Sequence, residues 1–172
     1  MSAELRAFSP TFAADGEEAL VHMNADTFDA FVLDLWLPDY TGIPLCREIR
    51  DLDPHVPIIF WTVADGEDLR GRALRAGGTA YLHKSADYVP LRAKLGELLA
   101  TADERCSRAY AAAGEVLAEF RTRYAGTESY RSQSADAARE SITRLAKPRT
   151  REAFLDAGGT LSRFERWWAS AI

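Results

Sequence analysis

The stretch that decides the fold is Phe28-Asp29-Ala30-Phe31-Val32-Leu33-Asp34, followed by Leu35-Trp36-Leu37-Pro38-Asp39-Tyr40-Thr41-Gly42. It is a short apolar strand that ends in one carboxylate, with Pro38 and Gly42 shaping the loop beyond it. Open α/β sheets present reactive groups in this way, at the carboxyl ends of their strands. The sequence therefore predicts a functional site at the edge of a sheet, with Asp34 as its first member.

Two later apolar runs end in polar side chains that complement Asp34. Residues 56–61 lead to the hydroxyl of Thr62, and residues 80–83 lead to the ammonium group of Lys84. The carboxyl ends of parallel strands meet at one edge of a sheet, so we expect the three side chains to converge. A carboxylate, a hydroxyl and a cation together form a set that can handle a phosphoryl group.

Strand and helix patterns alternate through the first hundred residues. Strand patterns occur at residues 7–13, 30–35, 57–61 and 80–82, and helical patterns at residues 17–24, 43–52, 67–76 and from Val89 onward. This alternation predicts a parallel sheet with helices on both faces.

The remaining sequence is helical in pattern and differs in charge. We expect one helix over residues 91–124, stopped at Gly126, and a second over residues 128–145, ended by Pro148. A third starts near Thr150 and breaks at Gly158-Gly159, and a fourth covers residues 161–171. Residues 1–100 carry a net charge of −7 and residues 101–172 a net charge of +2, so two domains are predicted with a boundary near residue 100.

The spacing of these residues over about residues 11–99 resembles the receiver domain of two-component response regulators. The resemblance implies a flavodoxin-like fold and a role for each site residue. Asp34 matches the phosphoacceptor, Thr62 the switch hydroxyl, Lys84 the phosphate-binding lysine and Tyr81 the rotameric aromatic residue. A sensor histidine kinase, or another signalling protein, is the partner that the resemblance implies.

The sequence departs from the family's pattern at its start. The family's first strand, the acidic pair that follows it and its first helix have no counterpart here. In the family that pair holds Mg²⁺ together with the phosphoacceptor, whereas here Asp34 and the carbonyl of Trp36 are the only candidate ligands, so Mg²⁺ binding is doubtful. Val63 stands where the family has a very small residue, and Ser85 where it has a proline in a cis peptide.

Three arrangements could close the gap left by the central strand. Residues 7–13 can pair with the strand at Phe31 to give four strands, a second chain can supply the pairing, or the C-terminal helices can cover the edge. We expect the first, unless the sequence starts late in its gene. The fold class is therefore a receiver fold lacking its first strand and helix, with an α-helical C-terminal extension.

Each site residue also has a structural interpretation. Asp34 can cap a helix or loop, and Thr62 can cap the helix that follows its strand. Lys84 can be a surface lysine whose stem covers apolar neighbours, and Tyr81 can belong to the core. Cys46 and Cys106 have no metal-ligand spacing and are expected to be buried apolar groups.

The sequence predicts a degenerate receiver that acts by protein contacts in phosphorelay signalling and is not an enzyme. The first alternative is a receiver phosphorylated on Asp34. The second is DNA binding through residues 151–166. Their sequence has the pattern of a helix, a turn and a second helix, although the second helix carries aromatic residues. A homodimer through the helix at residues 91–124 is expected. The chain lacks a long apolar run or signal-peptide pattern, so a cytoplasmic location with no membrane contact is expected.

Overall fold

The computed structural model describes residues 3–38, 41–84, 88–127 and 134–172. The chain divides into two compact units, Met1–Ala102 and Asp103–Ile172. The first unit contains the sheet, whereas the described residues of the second form helices and the turns beside them.

The sheet of the first unit has three parallel strands. These are β1 (Phe31–Leu33), β2 (Ile58–Thr62) and β3 (Ala80–His83), in the order β1-β2-β3. Leu33 pairs with Phe60, and Thr62 pairs with His83. The central strand is apolar and almost entirely buried, as expected for a parallel strand covered on both faces.

Helices follow or precede each strand as the sequence predicts. They are α1 (Gly16–Ala25), α2 (Gly42–Leu52), α3 (Glu67–Arg75) and α4 (Val89–Ala125), the last of which continues into the second unit. The start of α1 is capped reciprocally, because Asp15 Oδ1 accepts from the Glu18 amide at 2.8 Å while Glu18 Oε2 accepts from the Ala14 amide at 2.6 Å.

Two apolar clusters lie on the two faces of the sheet. Side chains of alternate strand residues point to opposite faces, so Ile58 and Phe60 pack with Leu45 and Ile49 of α2. Ile59 packs on the other side, with Ala80 of β3 and with Leu91 and Leu95 of α4.

The predicted strand at residues 7–13 is wrong, and so is the four-stranded sheet built on it. Residues Ala3–Phe8 form a 3₁₀-helix, and residues 9–13 have no regular secondary structure. Leu5 and Phe8 are three residues apart, which places them on one side of such a helix. They pack against the cluster of Ile59, Leu91 and Leu95, and Pro10 then interrupts any hydrogen-bonded continuation.

The second unit is built from the C-terminal part of α4, α5 (Ala135–Asp156) and α6 (Leu161–Ala171). Ala109, Ala113 and Leu117 of α4 pack with Phe154 and with the aromatic residues Phe164 and Trp168. The predicted end of α4 before Gly126 and the predicted last helix are confirmed.

The turn between α5 and α6 lies at the predicted glycine pair. Gly158 has φ +93°, its amide donates to Leu155 O at 2.9 Å, and the Gly159 amide donates to Phe154 O at 3.0 Å. This is a Schellman motif. A Cβ on Gly159 would lie 2.0 Å from Phe154 Cε1, so only glycine fits there.

The prediction that Pro148 ends a helix is wrong, and so is the new helix start near Thr150. Pro148 lies inside α5, which runs unbroken to Asp156. Proline removes one backbone hydrogen bond, but Ala146, Thr150 and Phe154 around it are buried at a spacing of four residues. Burial of this stripe favours a continuous helix. The predicted start at Glu128 lies outside the described residues, and the described helix begins after Ser134, whose hydroxyl accepts from the Ala137 amide at 3.3 Å.

Both cysteines are buried and free, as expected for small apolar groups. No helix within the described ranges is long and apolar enough to cross a membrane.

Candidate functional site

The carboxyl edge of the sheet brings together three residues that the sequence singled out. Asp34 follows β1 directly, Thr62 is the last residue of β2, and Lys84 follows β3. The Lys84 amide donates to Thr62 O at 2.6 Å, which fixes the end of β3 against the end of β2. The convergence follows from the parallel register of the three strands.

An ion pair joins the two charged residues of this edge. Lys84 Nζ lies 3.0 Å from Asp34 Oδ2, and the side chains are 38% and 24% exposed, respectively. Asp34 Oδ1 accepts a hydrogen bond from the Trp36 amide at 3.3 Å. The pair is therefore positioned by the backbone and remains in contact with solvent.

The environment of Asp34 favours its charged form. Burial alone would raise the pKa of the carboxyl group, but hydrogen bonds from the side chains of Thr62 and Lys84, the backbone hydrogen bond of Trp36 and the charge of Lys84 outweigh it. The pKa of Asp34 is lowered as a result, and the carboxylate is ionised at neutral pH.

Thr62 is fully buried, and its hydroxyl is held in place. Besides its bond to Asp34, Thr62 Oγ1 accepts from the Ala64 amide at 3.3 Å. The alternative interpretation, that Thr62 caps the next helix, does not apply, because α3 begins after Gly66.

Tyr81 is buried and points inward. Its hydroxyl donates to Ala64 O at 2.8 Å, and its ring stacks on Phe60 at a centroid distance of 6.5 Å. Burial raises the pKa of the phenol, and the carboxylates of Asp65 and Asp34 add to this, whereas Arg70 opposes it. Tyr81 therefore belongs to the core cluster and also reaches the loop that follows Thr62.

Gly42 sets the distance between α2 and the site. A Cβ at this position would lie 2.2 Å from the carbonyl oxygen of Asp34 and 3.2 Å from Phe60 Cε1. The Gly42 amide also donates to Leu35 O at 3.0 Å, which closes the loop after Asp34. Pro38 is exposed in that loop, while Asp39 and Tyr40 lie outside the described residues.

The donors at this edge do not fit a Mg²⁺ ion. Mg²⁺ takes near-octahedral oxygen ligands and is usually held by carboxylates. In the described part of the chain no three acidic, histidine or cysteine side chains come together. Asp34 supplies one carboxylate, and the ammonium group of Lys84 already lies on it. The carbonyl of Trp36 adds only a neutral oxygen.

Val63 and Ser85 are the two positions beside site residues at which the sequence departs from the family's pattern. Val63 is 63% exposed beside the buried Thr62, so its side chain is largely in contact with solvent. Ser85 lies outside the described residues, and so does the peptide bond that precedes it.

One participant was missed from the sequence. Lys84 Nζ lies 5.0 Å from the centroid of the Trp61 ring, within the range of a cation–π contact. Trp61 in turn packs on Tyr88 at 4.9 Å. Side chains alternate between the two faces of the sheet along β2, so Trp61 lies on the face opposite Phe60. This alternation could have predicted that Trp61 lies near the residue that follows β3.

Comparison with known proteins identifies the fold of the first unit. A family model described as the response regulator receiver domain matches residues 3–96. The receiver domain of a sensor histidine kinase from Pseudomonas aeruginosa PAO1, solved with a magnesium ion in its active-site cleft, is similar with 31% identity and a TM-score of 0.51, over 57% of this chain and 84% of that one. A CheY-like receiver protein from Methanospirillum hungatei JF-1 is similar with 26% identity and a TM-score of 0.52, over 55% of this chain and 75% of that one.

Curated relatives point to the same family. The response regulator MprA of Mycolicibacterium vanbaalenii is 35% identical over 98 residues, which are 57% of this chain and 42% of that protein. The MprA protein of Mycobacterium tuberculosis gives the same identity over 43% of its length. The chain thus spans less than half the length of these relatives. The fold is the flavodoxin-like receiver fold with a helical C-terminal extension, and the chain belongs to the response regulator receiver domain family.

Proposed function

We propose that this chain is an atypical receiver that works in two-component signalling through protein contacts and without Mg²⁺-dependent turnover. The observation that carries the proposal is the arrangement around Asp34. Lys84 neutralises the carboxylate at 3.0 Å, and among the described residues Asp34 belongs to no group of three or more acidic, histidine or cysteine side chains that could hold a metal ion.

The electrostatics of the site support this proposal. Phosphoryl transfer depends mainly on cations that neutralise the transferred group. Here Lys84 supplies one positive charge, and it is shared with Asp34 and with the ring of Trp61. A single lysine offers far less charge than a divalent ion, so the geometry favours a resting receiver over an active phosphoryl acceptor.

A phosphorylated receiver is the second candidate, because Asp34, Thr62 and Lys84 do converge. In that case an Asp34 carboxylate oxygen would bond to phosphorus while the bond between phosphorus and the histidine nitrogen of a kinase breaks, leaving imidazole. Lys84 would pair with the phosphoryl oxygens and Thr62 would donate to them. Tyr81, which already points inward, would need no further rotation.

The partners of this chain are inferred from its family and from which of its residues are exposed or buried. A sensor histidine kinase or another signalling protein is the proposed partner. A homodimer through α4 stays a prediction, and it would need residues other than Ala109, Ala113 and Leu117, which are buried inside the second unit. DNA binding through residues 151–166, the end of α5 and the start of α6, is not favoured, because Phe164 and Trp168 of the second helix are buried.

The test is the intact mass of the protein after incubation with acetyl phosphate and Mg²⁺, beside the Asp34→Asn variant. The proposal expects no mass change in either protein. Addition of one phosphoryl group to the wild type, absent from Asp34→Asn, would overturn it in favour of the second candidate. Addition to both proteins would place modification elsewhere and would leave Asp34 unphosphorylated, as proposed.

A further inference from the structure

A cavity of about 260 Å³ lies in the first unit, beside the loop that follows Asp34. It is bounded by that loop, by the start of α2 and by one side of α3. Apolar residues including Leu35, Ile43 and Leu69 line it, together with Trp36 and three arginines, Arg47, Arg72 and Arg75. The cavity thus has a mixed lining, in which apolar residues lie beside polar ones and three arginines.

The charge at this cavity is unusual for the unit that carries it. Residues 1–100 have a net charge of −7, yet three arginines line this one opening. All three arginines are exposed, and none of them forms an ion pair with a carboxylate in the described ranges. Arg72 and Arg75 lie in the last turn of α3, where a cation interacts favourably with the helix dipole, but Arg47 lies in the middle of α2.

Trp36 adds a large apolar surface to the cavity. Its side chain is 60% exposed, although tryptophan is usually mostly buried. Tryptophan and arginine are the residues most enriched where binding energy concentrates in protein interfaces. An exposed tryptophan beside arginines that pair with no carboxylate of the described residues therefore marks a surface suited to a partner.

The size and the composition of the cavity favour a protein segment over a small phosphate compound. Pockets for small ligands usually measure about 300–1,000 Å³, so this cavity suits a side chain better than a whole cofactor. Phosphate sites commonly use backbone amides of a glycine-rich turn, and no glycine lines this cavity. Arginine and aromatic residues, both present in this lining, are instead enriched in protein interfaces.

We propose that this cavity binds an acidic segment of a partner protein, with an apolar side chain seated against Leu35, Ile43 and Leu69 and flanking carboxylates paired with the arginines. Guanidinium groups bind carboxylates in a bidentate geometry. The Trp36 amide donates to Asp34 Oδ1, so the segment would contact the same loop that holds the Asp34 carboxylate. The proposal concerns the unmodified chain and does not depend on phosphorylation.

The test follows the full chain by NMR during titration with a blocked hexapeptide in which Leu-Phe is flanked by two glutamates on each side. We expect saturable shifts of the Trp36 indole N–H and of the Arg47, Arg72 and Arg75 side-chain N–H signals. The same peptide with glutamine in place of glutamate should bind about tenfold more weakly or worse, because its charges are lost.

Charge-reversal variants identify the site. Arg47→Glu and Arg72→Glu should each weaken binding about tenfold or more, whereas Arg70→Glu, an exposed arginine on α3 that does not line the cavity, should change it less than about twofold. Circular dichroism melts show whether each variant is folded. An unfolded variant is replaced by Arg→Gln at the same position.

Three results would overturn the proposal. The first is the absence of shifts at Trp36. The second is equal loss of binding in Arg70→Glu and Arg72→Glu, which would indicate only a general effect of charge. The third is displacement of the peptide by inorganic pyrophosphate that binds more tightly than the peptide does, which would assign the cavity to a phosphate compound.

Discussion

Each unit of this protein contains an ion pair whose partners lie 50 or more residues apart in the sequence, and these two pairs differ in exposure. In the helical unit Arg163 Nε donates to Asp103 Oδ1 at 2.7 Å, and the arginine side chain is only 5% exposed. It lies beside Thr160, whose Oγ1 is 3.4 Å from Arg163 Nη1. At the sheet edge Lys84 and Asp34 pair at a similar distance but are 38% and 24% exposed.

The difference separates a structural pair from an accessible one. A buried arginine must keep its partner, because an unpaired buried charge is strongly destabilising. A half-exposed pair can exchange its partners for water or for another molecule at low cost. The comparison assigns Arg163 to the stability of the helical unit and leaves Asp34 and Lys84 available for function.

The largest expected effect is in the core of the helical unit. Phe154 is fully buried and contacts the rings of Tyr110, Phe164 and Trp167. Phe154→Ala should lower the free energy of unfolding by about 3–5 kcal/mol in urea titrations. Leu145→Ala, on the same helix and 48% exposed, is the control and should cost less than about 1 kcal/mol. Similar losses in both variants would mean that Phe154 is not the centre of this core.

The next effect tests the structural pair. Arg163→Met should destabilise the protein by about 1.5–3 kcal/mol, because a charge-assisted hydrogen bond is lost. Asp103 is 69% exposed and stays solvated in the variant. Urea unfolding measures the cost. A loss as small as that of Lys84→Met would remove the distinction between the two pairs.

Gly42→Ala tests how tightly α2 is packed against Asp34. Its Cβ would lie 2.2 Å from Asp34 O, so the backbone must shift, and we expect a loss of about 1–3 kcal/mol. Gly96→Ala is the matched control, since it lies within α4 with open space around it and should stabilise the protein by about 0.5–1 kcal/mol. A neutral Gly42→Ala would show that the loop after Asp34 can move freely.

The smallest stability change belongs to the accessible pair. Lys84→Met should change the free energy of unfolding by less than about 1 kcal/mol at neutral pH, because the pair is half-exposed. Lys94→Met, which removes the pair with Glu97 at 2.7 Å on α4, is the control. A loss as large as that of Arg163→Met would place Lys84 among the structural residues.

The same variant changes the titration of Asp34. In the wild type the pKa of Asp34 is lowered, so its contribution to stability is fully present above its unfolded pKa, about 3.9, and is lost as the pH falls through the folded value. In Lys84→Met burial is opposed only by Thr62 and Trp36, and the pKa should rise. Carboxyl NMR titration measures it, and an unchanged pKa would mean that Lys84 does not stabilise the charged form.

The sequence predicted those parts of the fold that depend on local pattern. Apolar runs predicted all three strands of the sheet, and glycines predicted the ends of α4 and α5. The errors lie where tertiary packing outweighs a local signal. Leu5 and Phe8 are three residues apart, a spacing that fits one side of a 3₁₀-helix but not one face of a strand, and both pack against Leu91 and Leu95. Pro148 is accommodated because Phe154 and Ala146 are buried on one stripe.

The site could be predicted as a set of residues but not as a set of contacts. Parallel strands place Asp34, Thr62 and Lys84 at one edge, which follows from topology. Three contacts depend on side-chain packing. Lys84 pairs directly with Asp34 and lies over the ring of Trp61, and the Tyr81 hydroxyl donates to the Ala64 carbonyl. The arginines at the cavity come from two helices, and no sequence spacing links Arg47 to Arg72.

We propose that Asp34 is neutralised by Lys84 and not by a metal ion. The most direct measurement is the response of the Trp36 amide and indole NMR signals to millimolar Mg²⁺, with Asp34→Asn as the control. We expect no saturable shift in the wild type and the same response in both proteins. A saturable shift that disappears in Asp34→Asn would contradict it, because Asp34 would then be a metal ligand.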